Sequence, residues 1–89
     1  MKIMTTWKTP PEHNRQVIAR FLETGGGPPA GITMLGRWHG AGCGFVLAET
    51  DDVKAIYKWT GEWADLLEFT VTPVMEDAEA AEVLRSLTK

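Results

Sequence analysis

An α+β sandwich with the element order β-α-β-β-α-β and a tail helix is the fold class this sequence predicts, on three observations. The stretch Ile32–Thr50, ITMLGRWHGAGCGFVLAET, holds two β-rich runs around a glycine-rich loop, a strong hairpin signal. Lys2–Lys8 and Leu66–Val74, toward the two ends of the chain, alternate along the backbone with the period of two that a strand with distinct faces requires. Between these strands and the hairpin lie two segments with apolar residues at helical spacing, each bounded by start or stop residues.

In the first strand, Ile3, Thr5 and Trp7 point one way and Met4, Thr6 and Lys8 the other. Thr9-Pro10-Pro11-Glu12 matches a capping box, with Thr9 as N-cap, Pro10 in the first helical position and Glu12 reaching back. The helix that follows carries Val17, Ile18, Phe21 and Leu22 as one apolar stripe. It stops at Gly25-Gly26-Gly27, and Pro28-Pro29 forbid its continuation, so Thr24–Gly31 is a loop. Ile32–His39 and Cys43–Glu49 form the hairpin. Thr50-Asp51-Asp52 then supplies an N-cap and an acidic first turn to a second helix, expected to turn Val53, Ile56 and Tyr57 inward. Gly61 ends or interrupts it, with room for one more helical turn over Glu62–Asp65. The last strand sets Leu67, Phe69 and Val71 against Glu68, Thr70 and Thr72. A final helix from Asp77 to Leu87 has acids at its start and Arg85 near its end, as the helix dipole prefers. The order is that of the split β-α-β, ferredoxin-like fold, in which two helices cover one face of the sheet.

The 89 residues suit a single domain, 1–89, too small to be very stable alone, so that a second copy covering the open sheet face is expected. With 44% hydrophobic and 24% charged residues the chain is neither disordered nor a coiled coil. A net charge of −3 with scattered Lys and Arg argues against nucleic acid, whose binding relies on clustered cations. No apolar run approaches the roughly 20 residues that span a bilayer, and MKIMTTWKTPP has no signal-peptide core. The single cysteine, Cys43, cannot form an internal disulfide and fits a reducing, cytoplasmic setting. Four tryptophans, Trp7, Trp38, Trp59 and Trp63, serve either packing or a ligand-stacking surface, with packing the more common use.

The segments LGRWHGAGCGFVLAET, WADLLEF and TPVMEDAEA resemble the family of small bacterial proteins known as the domain of unknown function 3303, over essentially the whole chain. The resemblance implies the dimeric α+β barrel arrangement, in which two ferredoxin-like sheets close into one barrel. That superfamily includes cofactor-free monooxygenases, isomerases, haem-handling enzymes and regulatory ligand-binding domains, so the fold fixes no function. Haem-binding barrels generally use a helix-borne histidine. The helical candidate here is His13, in the first turn of helix one, and no cofactor is expected.

Alternation divides the candidate residues between two faces. Ile3, Trp7, Ile32, Met34, Trp38, Phe69 and Val71 are expected to form a helix-covered core, and Thr6, Lys8, Arg37, His39, Glu68, Thr70 and Thr72 the opposite face. Glu49 joins either Arg37 and His39 or Trp38, depending on a hairpin register that the glycine loop leaves open. Buried charges need partners, so Arg37, His39 and Glu68 make either a ligand site or an internal network, with Arg37 pairing Glu49 or Glu68 across strands. The candidate ligand-binding set is Trp7, Arg37, Trp38, His39, Glu49 and Glu68. His39 is the candidate catalytic acid–base and Arg37 the anion binder. A metal on His39, Glu49 and Glu68 lacks any dedicated ligand spacing, and none is expected. Neither Cys43 as nucleophile nor the glycine runs as phosphate loops have the required context. A small-molecule-binding homodimer is the leading expectation, with its pocket between sheet and helices or between subunits. The alternatives are a structural or regulatory homodimer without ligand, and a cofactor-free monooxygenase- or isomerase-like enzyme.

Overall fold

Four antiparallel strands in the order β2-β3-β1-β4 make one sheet in the computed structural model, which describes residues 1–88. The elements are β1 (Lys2–Lys8), α1 (Asn14–Thr24), β2 (Thr33–Gly40), β3 (Cys43–Glu49), α2 (Val53–Gly61), β4 (Glu68–Val74) and α3 (Asp77–Leu87). The strand nearest the N-terminus lies in the middle, between β3 and β4, as the ferredoxin-like fold requires.

Start and stop signals work as the residue types dictate, with one exception. Gly25 adopts the left-handed conformation (φ 75°) and donates its N–H to the Phe21 carbonyl, closing α1. Asp52 caps α2, accepting from the backbone N–H groups of Lys54 and Ala55. The Thr9 capping box does not form. Two successive prolines instead begin a 3-10 turn over Pro11–His13, with no side-chain cap, and the Thr9 N–H donates to the Gly42 carbonyl at 2.8 Å. That bond ties the start of the helical connection to the hairpin loop.

Register decides which side chains share a face. Trp7 stands opposite Gly44 and Phe69, Thr5 opposite Val46 and Val71, and Ile3 opposite Ala48 and Pro73. This is the helix-covered face, where Ile3, Thr5, Val46 and Ala48 are buried. In β2 the pairing with β3 shifts between Met34 and Gly36. Met34 pairs with Ala48, but beyond the irregularity Arg37 pairs with Val46 and His39 with Gly44. Arg37 and His39 therefore lie on the helix-covered face with Trp7. Trp38 pairs with Phe45, which pairs with Thr6, and so lies on the opposite, outer face. Both assignments reverse the simple alternation, because the extra residue of the bulge inverts inside and outside for everything after it.

The helices cover only part of what the sequence patterns suggest. Ile56 and Ala55 of α2 are buried, but Val53 and Tyr57 are 70% and 80% exposed, contrary to the expected inward stripe. Trp63 and Leu66, just beyond α2, are buried in their place. Neither α1 nor α3 buries a residue fully. The outer sheet face is likewise open: Trp38 stacks on Phe45 at 5.1 Å with exposures of 53% and 41%. Within the described residues no helix is long and apolar enough to cross a membrane.

Gly44 is the position where the fold most depends on a missing side chain. A Cβ there would overlap the Trp7 ring and lie 2.6 Å from the Trp38 carbonyl oxygen, so the indole rests directly on the β3 backbone. Gly44→Ala is expected to destabilise the fold by about 1–3 kcal/mol, read as a lower urea midpoint, with a changed near-UV circular dichroism spectrum as Trp7 is displaced.

Candidate functional site

Between α1, α2 and the inner sheet face lies a cavity of about 240 Å³. Aromatic and aliphatic side chains share its walls: Trp7 and Phe69 from the sheet, Phe21 from α1, and Trp59 and Trp63 from α2 and the turn beyond it, with Ile3, Val17, Val46 and Ile56 among the aliphatic ones. Arg37 and His39 reach it from β2, and Thr5, Asn14 and Thr60 add small polar groups. Apolar walls with a few convergent polar groups are the usual make-up of a small-molecule site.

His39 stands at the exposed rim. Its imidazole meets the Trp7 ring edge-on at 5.5 Å and the Phe21 ring at 5.1 Å, so two aromatic contacts fix its plane. Among the described residues neither ring nitrogen has a hydrogen-bond partner, which leaves both available to a ligand. Arg37 uses two of its five N–H donors on the backbone. Its terminal nitrogens donate to the Gly26 carbonyl at 2.7 Å and the Gly25 carbonyl at 2.9 Å, while its guanidinium lies over the Phe21 ring at 5.0 Å. Burial holds the guanidinium below its ordinary pKa. Arg37 thus ties β2 to the C-terminal end of α1, and it pairs with neither Glu49 nor Glu68.

The six candidate residues divide into two groups on opposite sides of the sheet. Trp7, Arg37 and His39 line the cavity. Trp38, Glu49 and Glu68 belong to the outer face: Glu49 stands opposite Lys2 and Thr33, and Glu68 opposite Lys8. Of the two registers the sequence left open, the one that sets Glu49 with Trp38 is present. Glu49 takes the Met1 ammonium at 2.6 Å and lies 4.0 Å from the Lys2 ammonium. The expected grouping of Arg37, His39 and Glu68 on one face does not occur, and a metal shared by His39, Glu49 and Glu68 would have to bridge the sheet. Within the described residues no cluster of three or more His, Cys, Asp or Glu could hold a metal ion.

Sequence reasoning turned Ile56 inward and offered Trp59 and Trp63 for packing or ligand stacking, but did not join them with Thr60 into one wall of the cavity. Ile56, Trp59, Thr60 and Trp63 follow the i, i+3, i+4, i+7 spacing of a single helix face, and that periodicity was the available signal. The aromatic wall is held by polar ties. Arg20 of α1 grips the Asp65 carboxylate with two bonds of 2.9 and 2.8 Å, donates to the Glu62 carbonyl at 3.0 Å and lies over Trp63. At the other end of α1, His13 Nδ1 is 3.2 Å from the Leu66 carbonyl oxygen.

A ferredoxin-like α+β chain with an apolar cavity between its helices and its sheet is the class that fold and site define. The chain belongs to the family described as Domain of unknown function (DUF3303), whose model matches residues 1–88. No curated protein matches it. Among solved structures it is similar to MupZ from Pseudomonas fluorescens, with 14% identity and a TM-score of 0.45, over 97% of this chain and 81% of that one. It is also similar to a putative antibiotic biosynthesis monooxygenase from Deinococcus radiodurans, with 15% identity and a TM-score of 0.37, over 85% and 94% of the two chains. A mutant of MhuD with two manganese protoporphyrin IX groups bound per active site shows 14% identity and a TM-score of 0.37, over 85% and 95%.

The Arg20–Asp65 pair gives a pH prediction. Its hydrogen bonds hold the Asp65 carboxyl below the ordinary carboxylate range. A depressed native pKa adds stability that is present above about pH 4 and is lost as the pH falls through the native value. Protection of the α1 amides against hydrogen exchange should therefore drop on acidification. Asp65→Asn should show a few-fold lower protection at neutral pH and little further response to acid. Equal protection in both proteins at both pH values would remove Arg20 and Asp65 as the tie.

Proposed function

We propose that this chain binds a small molecule in the cavity between α1, α2 and the sheet, and that it does so as a homodimer in the cytoplasm. The observation that carries the reading is the cavity itself: about 240 Å³ open on one side, between apolar walls that include five aromatic side chains, with an imidazole at its rim that has no hydrogen-bond partner among the described residues. A cleft with apolar walls and a few convergent polar groups is the usual make-up of a small-molecule site, which supports this reading over a dimer without ligand.

Two features support the homodimer. Trp38 and Phe45 leave a stacked aromatic pair open on the outer sheet face, and α3 presents Val83, Leu84 and Leu87 to solvent. Exposed apolar surface of this kind marks an association site. Two outer faces meeting would bury Trp38 and bring Glu49 and Glu68 to the margin of the interface, a use for these residues other than ligand binding. For the cytoplasmic setting the support is Cys43, an exposed free thiol suited to a reducing compartment. An enzymatic reading has one observation in its favour: the His39 ring nitrogens, at the rim of the cavity, have no hydrogen-bond partner among the described residues and are free to meet a substrate.

The cavity is tested with benzene as probe and methyl NMR as readout. Saturating benzene should shift the Val46 and Ile56 methyl signals and leave those of Leu84 on α3 unmoved. Unmoved Val46 and Ile56 signals would show that the space is not available to ligands. The dimer is tested by sedimentation equilibrium: twice the chain mass is expected for the native protein and the single-chain mass for Trp38→Glu combined with Phe45→Glu. A native protein sedimenting as the single chain would defeat that part of the reading.

A further inference from the structure

Among the described residues, Arg37 and His39 line the cavity but no Asp or Glu does, in a chain that has 12 of them. We propose that the ligand is an amphipathic monocarboxylate, with its carboxylate on Arg37 and an apolar body of about eight to ten carbons in the cavity. The proposal rests on the reading of the cavity as a binding site.

The charge of Arg37 comes first. Its bonds to the Gly25 and Gly26 carbonyls end on neutral groups, and three of its five N–H donors remain. These carbonyls lie at the C-terminal end of α1. A helix end of that kind carries roughly half a negative charge, so about half of the cation is left uncompensated. Among the described residues no carboxylate pairs with it, and burial lowers its pKa with no acid to offset the effect. Arg20 is the contrast: it holds the Asp65 carboxylate, and its pKa is raised. A cation partly shielded from water is stabilised by an anion brought to it. Arg20 finds its carboxylate within the chain, and Arg37 takes one from the ligand while keeping both backbone bonds.

The walls specify the rest of the ligand. Ile3, Val17, Val46 and Ile56 stand among the aromatic rings, so the body that fits is apolar. An apolar cavity of about 150 Å³ holds one six-carbon benzene ring, so 240 Å³ takes about eight to ten carbons. Arg37 is half-buried and His39 is exposed at the rim, which sets the charged end toward water and the body inward. Both groups lie against the Phe21 ring, the guanidinium at 5.0 Å and the imidazole at 5.1 Å, so a ring N–H of His39 can add a donor to the head group.

Isothermal titration calorimetry with three probes tests the class: octanoate (apolar body with charge), 1-octanol (the same body without charge) and acetate (charge alone). The native protein should bind octanoate at least tenfold more tightly than 1-octanol, since a hydrogen bond to a charged partner contributes roughly ten- to a hundredfold. Acetate should bind at least tenfold less tightly than octanoate. Arg37→Gln keeps an N–H donor for the backbone and removes the charge. It should lose at least tenfold in octanoate affinity and less than threefold in 1-octanol affinity, and Arg37→Lys, which keeps the charge, should recover part of the loss. Equal or tighter binding of 1-octanol to the native protein would overturn the anionic head, and of acetate the apolar body; neither comparison depends on a variant folding. Equal losses for octanoate and 1-octanol in Arg37→Gln would overturn Arg37 as the partner of the head group. If benzene moves the Val46 and Ile56 methyl signals and octanoate does not bind, the ligand class alone is wrong. If neither binds, the cavity reading falls together with the proposal.

Discussion

The register shift between Met34 and Gly36 is the constraint on which the chemistry of this molecule depends. A strand presents alternate residues to alternate faces, so one extra residue exchanges inside and outside for all that follows. Without the shift, Trp38 would fill the space under the helices, and Arg37 and His39 would stand on the outer face beside Glu68. With it, an imidazole and a guanidinium reach the cavity under the helices, and the largest side chain of β2 is turned outward. The shift thus makes both surfaces at once: an inner one with polar groups and an outer one with an apolar patch.

What covers the inner surface is a helix held at its edges. No residue of α1 is fully buried, and its ties to the rest of the chain are polar: Arg20 to Asp65 and Glu62, His13 to Leu66, and Arg37 to the carbonyls that follow its last turn. A helix over a filled core would be fixed by interlocking side chains. Here the space below α1 is open, and the bonds around it fix the height of the roof. This division of labour explains why two arginines reach across from one element to another, Arg37 to backbone carbonyls and Arg20 to a carboxylate and a carbonyl. A guanidinium can span the gap from one layer to the next and still keep its charge partly solvated.

Most of the fold was legible in the sequence because its signals are local. Gly25 for the end of α1, Asp52 for the start of α2, the glycine loop of the hairpin and the alternation of β1 each act within a few residues. The candidate site was legible only in part. Trp7, Arg37 and His39 do meet, but their grouping depended on the parity of β2, and nothing in TMLGRWHG marks the bulge except a glycine whose absent side chain makes way for the Trp38 ring. Tyr57 misled because an amphipathic pattern says which residues can share a face and not how far round the helix the cover extends. Glu68 fell on the expected face, but Arg37 and His39 had moved to the other.

The placement of the four indoles has a spectroscopic consequence. Trp7, Trp59 and Trp63 border the cavity, whereas Trp38 lies outside against Phe45. Their intrinsic fluorescence therefore divides into two channels separated by the thickness of the sheet. An occupant of the cavity changes the emission of the inner three, and contact between two molecules at the outer face changes that of Trp38. Replacing Trp38 with phenylalanine would leave an optical signal that belongs to the interior alone, with no dye attached and no label in the binding site.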